Sequence, residues 1–209
     1  MFSQPQIAKL LLNRGANVSA RANGHQIRMA LRAWDHLYMF ERLYLGRNYE
    51  RDMTPLHLAM LSTSESVQEY CCHFLAPCCK MTREEKRNLG LESLRFLLDD
   101  GVNADINART EFGCTPLMLA SSSGTDESVQ ELIKKGAAIN VKGYGRECYS
   151  ALQNAVRANR SNITMELLKN MNLTGLKFHV YDEWRIELQE QVSTFSGFVY
   201  FKIYSEYIR

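Results

Sequence analysis

Apolar positions recur along the chain at three- and four-residue spacings, the period of a helix with one buried face. Val67, Tyr70, Cys71, Phe74 and Leu75 share one such face, Ile27, Leu31 and Trp34 another, and Leu37, Phe40, Leu43 and Tyr44 a third. Helix starts are written locally. Thr54-Pro55 and Thr115-Pro116 set a capping hydroxyl before a proline whose missing N–H costs nothing in a first turn. Thr82 and Glu85 have the spacing of a capping box. Apolar pairs precede Gly15, Gly101 and Gly136, which predicts three helix ends where glycine adopts left-handed backbone without steric cost.

These signals return in register. Thr54-Pro55-Leu56-His57-Leu58-Ala59 nearly coincides with Thr115-Pro116-Leu117-Met118-Leu119-Ala120, and Ser150-Ala151-Leu152-Gln153-Asn154-Ala155 is a weaker third copy. Helix-ending segments match too: Leu11 to Val18, Leu97 to Val102, and Leu132 to Asn140. On these motifs the chain resembles the ankyrin repeats, units of about 33 residues with a T-P-L-H-x-A signature, two helices and a turn. The resemblance implies an all-α helix-turn-helix solenoid with short β-hairpin loops, here with irregular insertions and a non-repeat C-terminal tail.

The repeat domain is expected over residues 1–172. A half repeat occupies 1–21; it opens directly in a second helix, so a first helix is missing and a fragment or truncated product is expected. A cryptic helical segment follows at 22–50, either a helix pair or a helical excursion within a hairpin. The repeat at 51–109 carries about 26 additional residues, because Ala59 and Leu97 lie far further apart than their counterparts Ala120 and Leu132. Two alignments absorb them. In the preferred one, residues 65–75 are the second helix and a degenerate repeat runs from about Thr82 to Gly101, since the face at Val67 needs a neighbour. In the other, the segment is an insertion between the two helices of one repeat.

The copy at 110–142 fits best, and 143–172 is a weaker one, with Cys148 at a glycine position, Ser150-Ala151 for Thr-Pro and Met171 at the helix-ending glycine. Residues 173–209 carry no repeat signature. Trp184, Leu188 and Val192 suit a capping helix, and Phe198 to Tyr207 is an aromatic, strand-like run.

Composition narrows the function classes. With 45% hydrophobic and 23% charged residues the chain can bury a core, and 6 Cys in 209 residues are too few for a disulfide scaffold. The formal charge of +2 gives no global attraction to nucleic acid, and no apolar run is long enough to span a membrane. Seven arginines against three acids between Arg14 and Arg51 read as a solvated helical face. No secretory signal is visible, so a cytoplasmic location is expected, with the nucleus as the alternative.

Candidate chemistry is sparse. Cys71, Cys72, His73, Cys78 and Cys79 are zinc-ligand types, but the spacing lacks paired CxxC, and structural thiols are the simpler reading, with oxidation or acylation behind it. No nucleophile elbow, Walker loop, HExxH or dinucleotide fingerprint appears. The chain is therefore read as no enzyme, with no cofactor and no metal. His57, by the resemblance, bridges the turns of adjacent repeats. Asn140 resembles ankyrin asparagines that hydroxylases modify.

The resemblance implies a protein–protein interaction module, expected as a monomer, that holds another protein on hairpin tips and the inward surface of first helices. By register, one repeat offers Arg109, Glu111, Phe112, Cys114, Ser122 and Ser123, and the next offers Lys142, Arg146, Glu147, Tyr149 and Arg157, with Phe112 and Tyr149 as anchors. The alternatives are a substrate-recruiting adaptor of a ubiquitin ligase or signalling complex, and a cut-out of a larger ankyrin-bearing channel, toxin or effector.

Overall fold

The computed structural model describes residues 5–22, 52–64, 82–144 and 149–171. They form seven helices, α1 (Pro5–Asn13), α2 (Pro55–Thr63), α3 (Arg83–Leu97), α4 (Pro116–Ser123), α5 (Asp126–Lys134), α6 (Ala151–Arg157) and α7 (Ser161–Asn170). Three pairs recur, α2 with α3, α4 with α5 and α6 with α7, and the pairs stack so that α2, α4 and α6 make one row and α1, α3, α5 and α7 another. Two rows of antiparallel helices joined by turns are the expected solenoid.

Two of the three first helices, α4 and α6, are capped as their sequence directs, whereas the Thr54 hydroxyl before α2 meets the His57 ring at 2.8 Å and not a backbone N–H. The Thr115 hydroxyl accepts from the Met118 N–H at 3.3 Å, and Ser150 and Gln153 close a reciprocal capping box at 3.2 and 2.9 Å. Thr82 and Glu85 do the same at the head of α3, with bonds of 2.6 and 3.2 Å. Such caps satisfy N–H groups that the helix itself leaves unbonded, and each contributes about 1 kcal/mol.

The core lies between the rows. Leu91, Leu94, Leu97 and Leu98 of α3 and its end, Leu117 and Leu119 of α4, Val129 and Leu132 of α5, and Ile163 and Leu167 of α7 are buried together. In α3 those leucines recur at helical spacing, and that face meets α2, the most extensive helix contact in the fold. Residues 65–75, the second helix of the preferred alignment, lie outside the described residues, as do the Cys71–Cys79 cluster, residues 23–51 and residues 172–209.

At the other end α1 packs directly on α3, as α3 does on α5. Ala22 and Met53 form an antiparallel bridge, with the Ala22 N–H donating to the Met53 carbonyl at 2.8 Å. Beyond that isolated bridge, the hairpins contain no strand among the described residues.

The helix ends separate three look-alike glycines. Gly15 and Gly136 have φ of 85° and 86°, and each starts the same two-bond turn: Gly136 donates to Ile133 at 3.0 Å and Ala137 to Leu132 at 2.9 Å, as Gly15 and Ala16 do to Leu12 and Leu11. Asn159 makes that turn after α6 with φ of 55°. Gly101 does not follow the expectation. The Asp99 side chain accepts from the Gly101 N–H at 3.1 Å, and the positive φ falls on Asn103 instead. An aspartate-centred turn has replaced the glycine-centred one.

A sharp comparison follows. Gly136→Val should cost about 2 kcal/mol, because left-handed backbone penalises any Cβ and a branched one more. Gly101→Ala should stay within about 0.5 kcal/mol. Urea denaturation of both variants is the check, and equal midpoints would contradict the distinction.

Candidate protein-binding surface

The hairpin between the first and second pairs is built from Thr110 to Cys114. The Thr110 N–H donates to the Cys114 carbonyl at 3.0 Å, the Thr110 hydroxyl accepts from the Cys114 N–H at 3.2 Å, and Gly113 turns the chain with φ of 78°. The next hairpin is bonded to it, the Tyr144 N–H donating to the Phe112 carbonyl at 2.7 Å. A Cβ on Gly113 would stand 2.8 Å from the Tyr144 ring, so glycine here also admits its neighbour's side chain.

Cationic side chains then link successive hairpins. Arg21 donates to the Arg109 carbonyl at 2.8 Å, and Arg109 donates to the Lys142 carbonyl at 3.2 Å while its guanidinium sits 5.2 Å from the Tyr144 ring centroid. Arg157 lies 4.2 Å from the centroid of Tyr149. Both stacked pairs are cation–π contacts, and they hold long side chains in defined positions. Tyr144 is 60% exposed, the most exposed large apolar residue among the described ones.

The opposite face is organised by charge pairing. Arg95 meets Glu131 and Lys135 meets Asp100, each at 2.9 Å, and Arg87 bonds Glu127. Pairing holds the Glu127 carboxyl below the usual range, its backbone bond contributing more than Arg87. A groove of about 290 Å³ between α5 and α7 has Asp126, Asn162, Glu166 and Lys169 on its wall. Its polar groups meet one another: Asn162 donates to Asp126 at 3.0 Å, and Lys169 lies 4.0 Å from Glu166.

His57 is fully buried at a repeat junction. Its Nδ1 accepts from the Thr54 N–H at 3.2 Å, which fixes the proton on Nε2, and Nε2–H donates to the Cys114 carbonyl at 3.0 Å. This is the bridging role expected of it. Burial pushes its pKa down to about 4, and nearby Arg21 adds to the effect against the opposing carbonyl bond. Met118 and Gln153 hold the same place in the next two first helices, each accepting from its own cap N–H.

The family model described as Ankyrin repeats (3 copies) matches residues 84–177. Residues 84–177 are ankyrin repeats. No curated sequence matches it. In ankyrin terms the matched stretch holds α3 to α7, and α1 and α2 continue the two rows beyond its N-terminal edge.

Of the surface residues expected from the ankyrin register, Arg109, Glu111, Lys142, Tyr149 and Arg157 lie exposed or half-exposed along the hairpin side. Arg146 and Glu147 lie outside the described residues. Cys114 requires correction: it is buried, because the residue before the Thr115 cap points into the repeat junction. Phe112 is half-buried and packs on the core. Ser122 and Ser123 are half-buried and return their hydroxyls to the Leu119 carbonyl at 2.9 and 3.2 Å. Asn140 is exposed.

Two residues were missing from the expected surface. Tyr144, flanked by Gly143 and Gly145, stands at a hairpin where an aromatic has no core to enter, and that flanking was a usable signal. Arg21 had none, since 88 residues separate it from Arg109 in sequence. No helix among the described residues is long and apolar enough to cross a membrane, and no cluster there has three or more metal-ligating side chains.

Proposed function

We propose that the chain is a non-catalytic module that holds a protein partner on its hairpin side, around Tyr144, Arg109, Tyr149 and Arg157. Ankyrin repeats are protein–protein interaction modules in general. The observation that carries this reading is the exposed Tyr144 ring under the Arg109 guanidinium, beside the Tyr149–Arg157 stack. Aromatic and arginine side chains held in place by their neighbours lose little freedom on binding, which is the character of interface anchors.

The test begins with a partner isolated on the wild-type chain. Tyr144→Ala should weaken its binding by about thirtyfold, the equivalent of about 2 kcal/mol, while stability stays within about 0.5 kcal/mol. Phe112→Ala should reduce affinity too, but with a lower denaturation midpoint because that ring packs on the core. If both variants keep wild-type affinity, the hairpin side is not the binding surface.

A further inference from the structure

A row of cations follows the repeat. Gly15, Asn103 and Gly136 are the left-handed residues after α1, α3 and α5, and six positions beyond each stands a cation: Arg21, Arg109 and Lys142. The three share one register position on successive hairpins. Arg21 donates to the Arg109 carbonyl and Arg109 to the Lys142 carbonyl, so each arginine leans across to the next hairpin in the same way. Acceptors on a repeating backbone fix where the two guanidinium groups lie.

This bonding leaves their recognition edges open. Each arginine uses Nη1, and among the described residues neither meets a carboxylate nor gives Nε or Nη2 an acceptor. Arg109 turns its face to the Tyr144 ring, which keeps the in-plane edge clear. That edge is a fork of N–H donors that a carboxylate matches with both oxygens.

Charge is arranged differently on the second helices. Arg87 meets Glu127 and Arg95 meets Glu131 between α3 and α5, and Arg160 meets Asp126 between α5 and α7. Cations there already have carboxylate partners. The first helices bring no carboxylate to the hairpin side, since α2 and α4 carry neither acid nor Lys or Arg and α6 carries Arg157 alone. Between the left-handed residues and the first helices the described carboxylates are Asp52, Asp105 and Glu111, all at other register positions, and Asp105 accepts from the Asn107 N–H of its own turn at 2.9 Å.

We propose that the partner presents an extended acidic segment, laid across successive hairpins with its carboxylates on Arg21, Arg109 and Lys142. This rests on the binding role given above to the hairpin side. Packed helices of neighbouring repeats lie about 10 Å apart, and an extended chain covers that distance in about three residues at about 3.3 Å each. A fitting segment therefore carries Asp or Glu at every third position, and about seven residues reach all three cations. Tyr144, stacked on Arg109, offers an apolar contact beside them.

The full chain is panned against phage-displayed random peptides of about twelve residues, long enough to cross the three hairpins. Enriched peptides should carry Asp or Glu three residues apart, and the synthetic peptide with those acids changed to Asn or Gln should bind at least tenfold more weakly. Arg109→Gln should weaken the acidic peptide at least tenfold, and Lys142→Gln, an exposed side chain whose loss leaves the fold in place, at least threefold. Neutral peptides lost with Tyr144→Ala but not with Lys142→Gln would overturn the acidic segment and leave the hairpin surface standing. Peptides indifferent to all three variants would overturn both. No enrichment, or tighter binding of a single-stranded RNA of the same charge, would also overturn the proposal.

Discussion

Acidification from pH 7 to pH 4 should remove about 3 kcal/mol of stability through one imidazole, His57. In the unfolded chain this side chain takes up a proton near its ordinary value of 6.5, and in the folded chain only near 4. Between those values the unfolded state binds the additional proton, so stability rises with pH across the window and falls as pH drops through it. Above about 6.5 the contribution is complete, and below about 4 it is gone. The molecular reason is burial, which penalises the charged ring, and protonation of Nδ1 would also give up its bond from the Thr54 N–H. Urea denaturation at pH 7, 5.5 and 4.5 measures the loss. Acidic side chains titrate at the lower end, so the informative quantity is the difference from His57→Met, which imitates Met118 of the next repeat. That variant should be weaker at pH 7 and should lack the imidazole-dependent part of the slope; parallel curves would refute the assignment.

Gly124→Ala should be the most damaging single methyl in the fold, at about 3 kcal/mol. Gly124 closes α4 and adjoins Thr125, the cap of α5, so the two helices meet with only these residues between them. A Cβ there would lie 2.6 Å from the Ser128 hydroxyl, 2.7 Å from the Ala120 carbonyl oxygen and 2.8 Å from the Ala120 Cα. Two of those three atoms are backbone. Ser128→Ala should therefore fail to rescue the variant, whereas full rescue would show that the hydroxyl alone was in the way. Calorimetric or denaturant midpoints of the single and double variants decide it, with Gly101→Ala, whose Cβ would meet only the Asp99 side chain at an ordinary 3.8 Å, as the control.

What the sequence disclosed was the chemistry of short range. The caps at Thr82, Thr115 and Ser150 bind partners three residues away, and the Gly15 and Gly136 turns are closed by the helix they end. Gly101 misled because the competing acceptor, Asp99, is equally local and equally visible but has no fixed rank against a glycine. That α3 packs on α2 was beyond local reading, since the leucines of α3 and the apolar positions at Val67 both recur at helical spacing in the sequence. For the proposed surface, the exposure of Arg109 and Tyr149 was legible from register, whereas the burial of Cys114 was not, because it depends on the packing of successive repeats. Arg21 reaches Arg109 only after the stack has formed.

The connections within the pairs differ widely. Two residues join α4 to α5, whereas residues 64–82 lie between α2 and α3, yet the helices of each pair are in contact. Loop-closure entropy grows only logarithmically, by about 0.6 kcal/mol for each doubling, so the longer connection costs roughly 2 kcal/mol more. That is comparable with one misplaced methyl at Gly124. The turn between paired helices is thus a point where this architecture accepts a whole additional segment for about the energy of a point substitution, and new recognition elements can be acquired there without redesigning the rows that carry them.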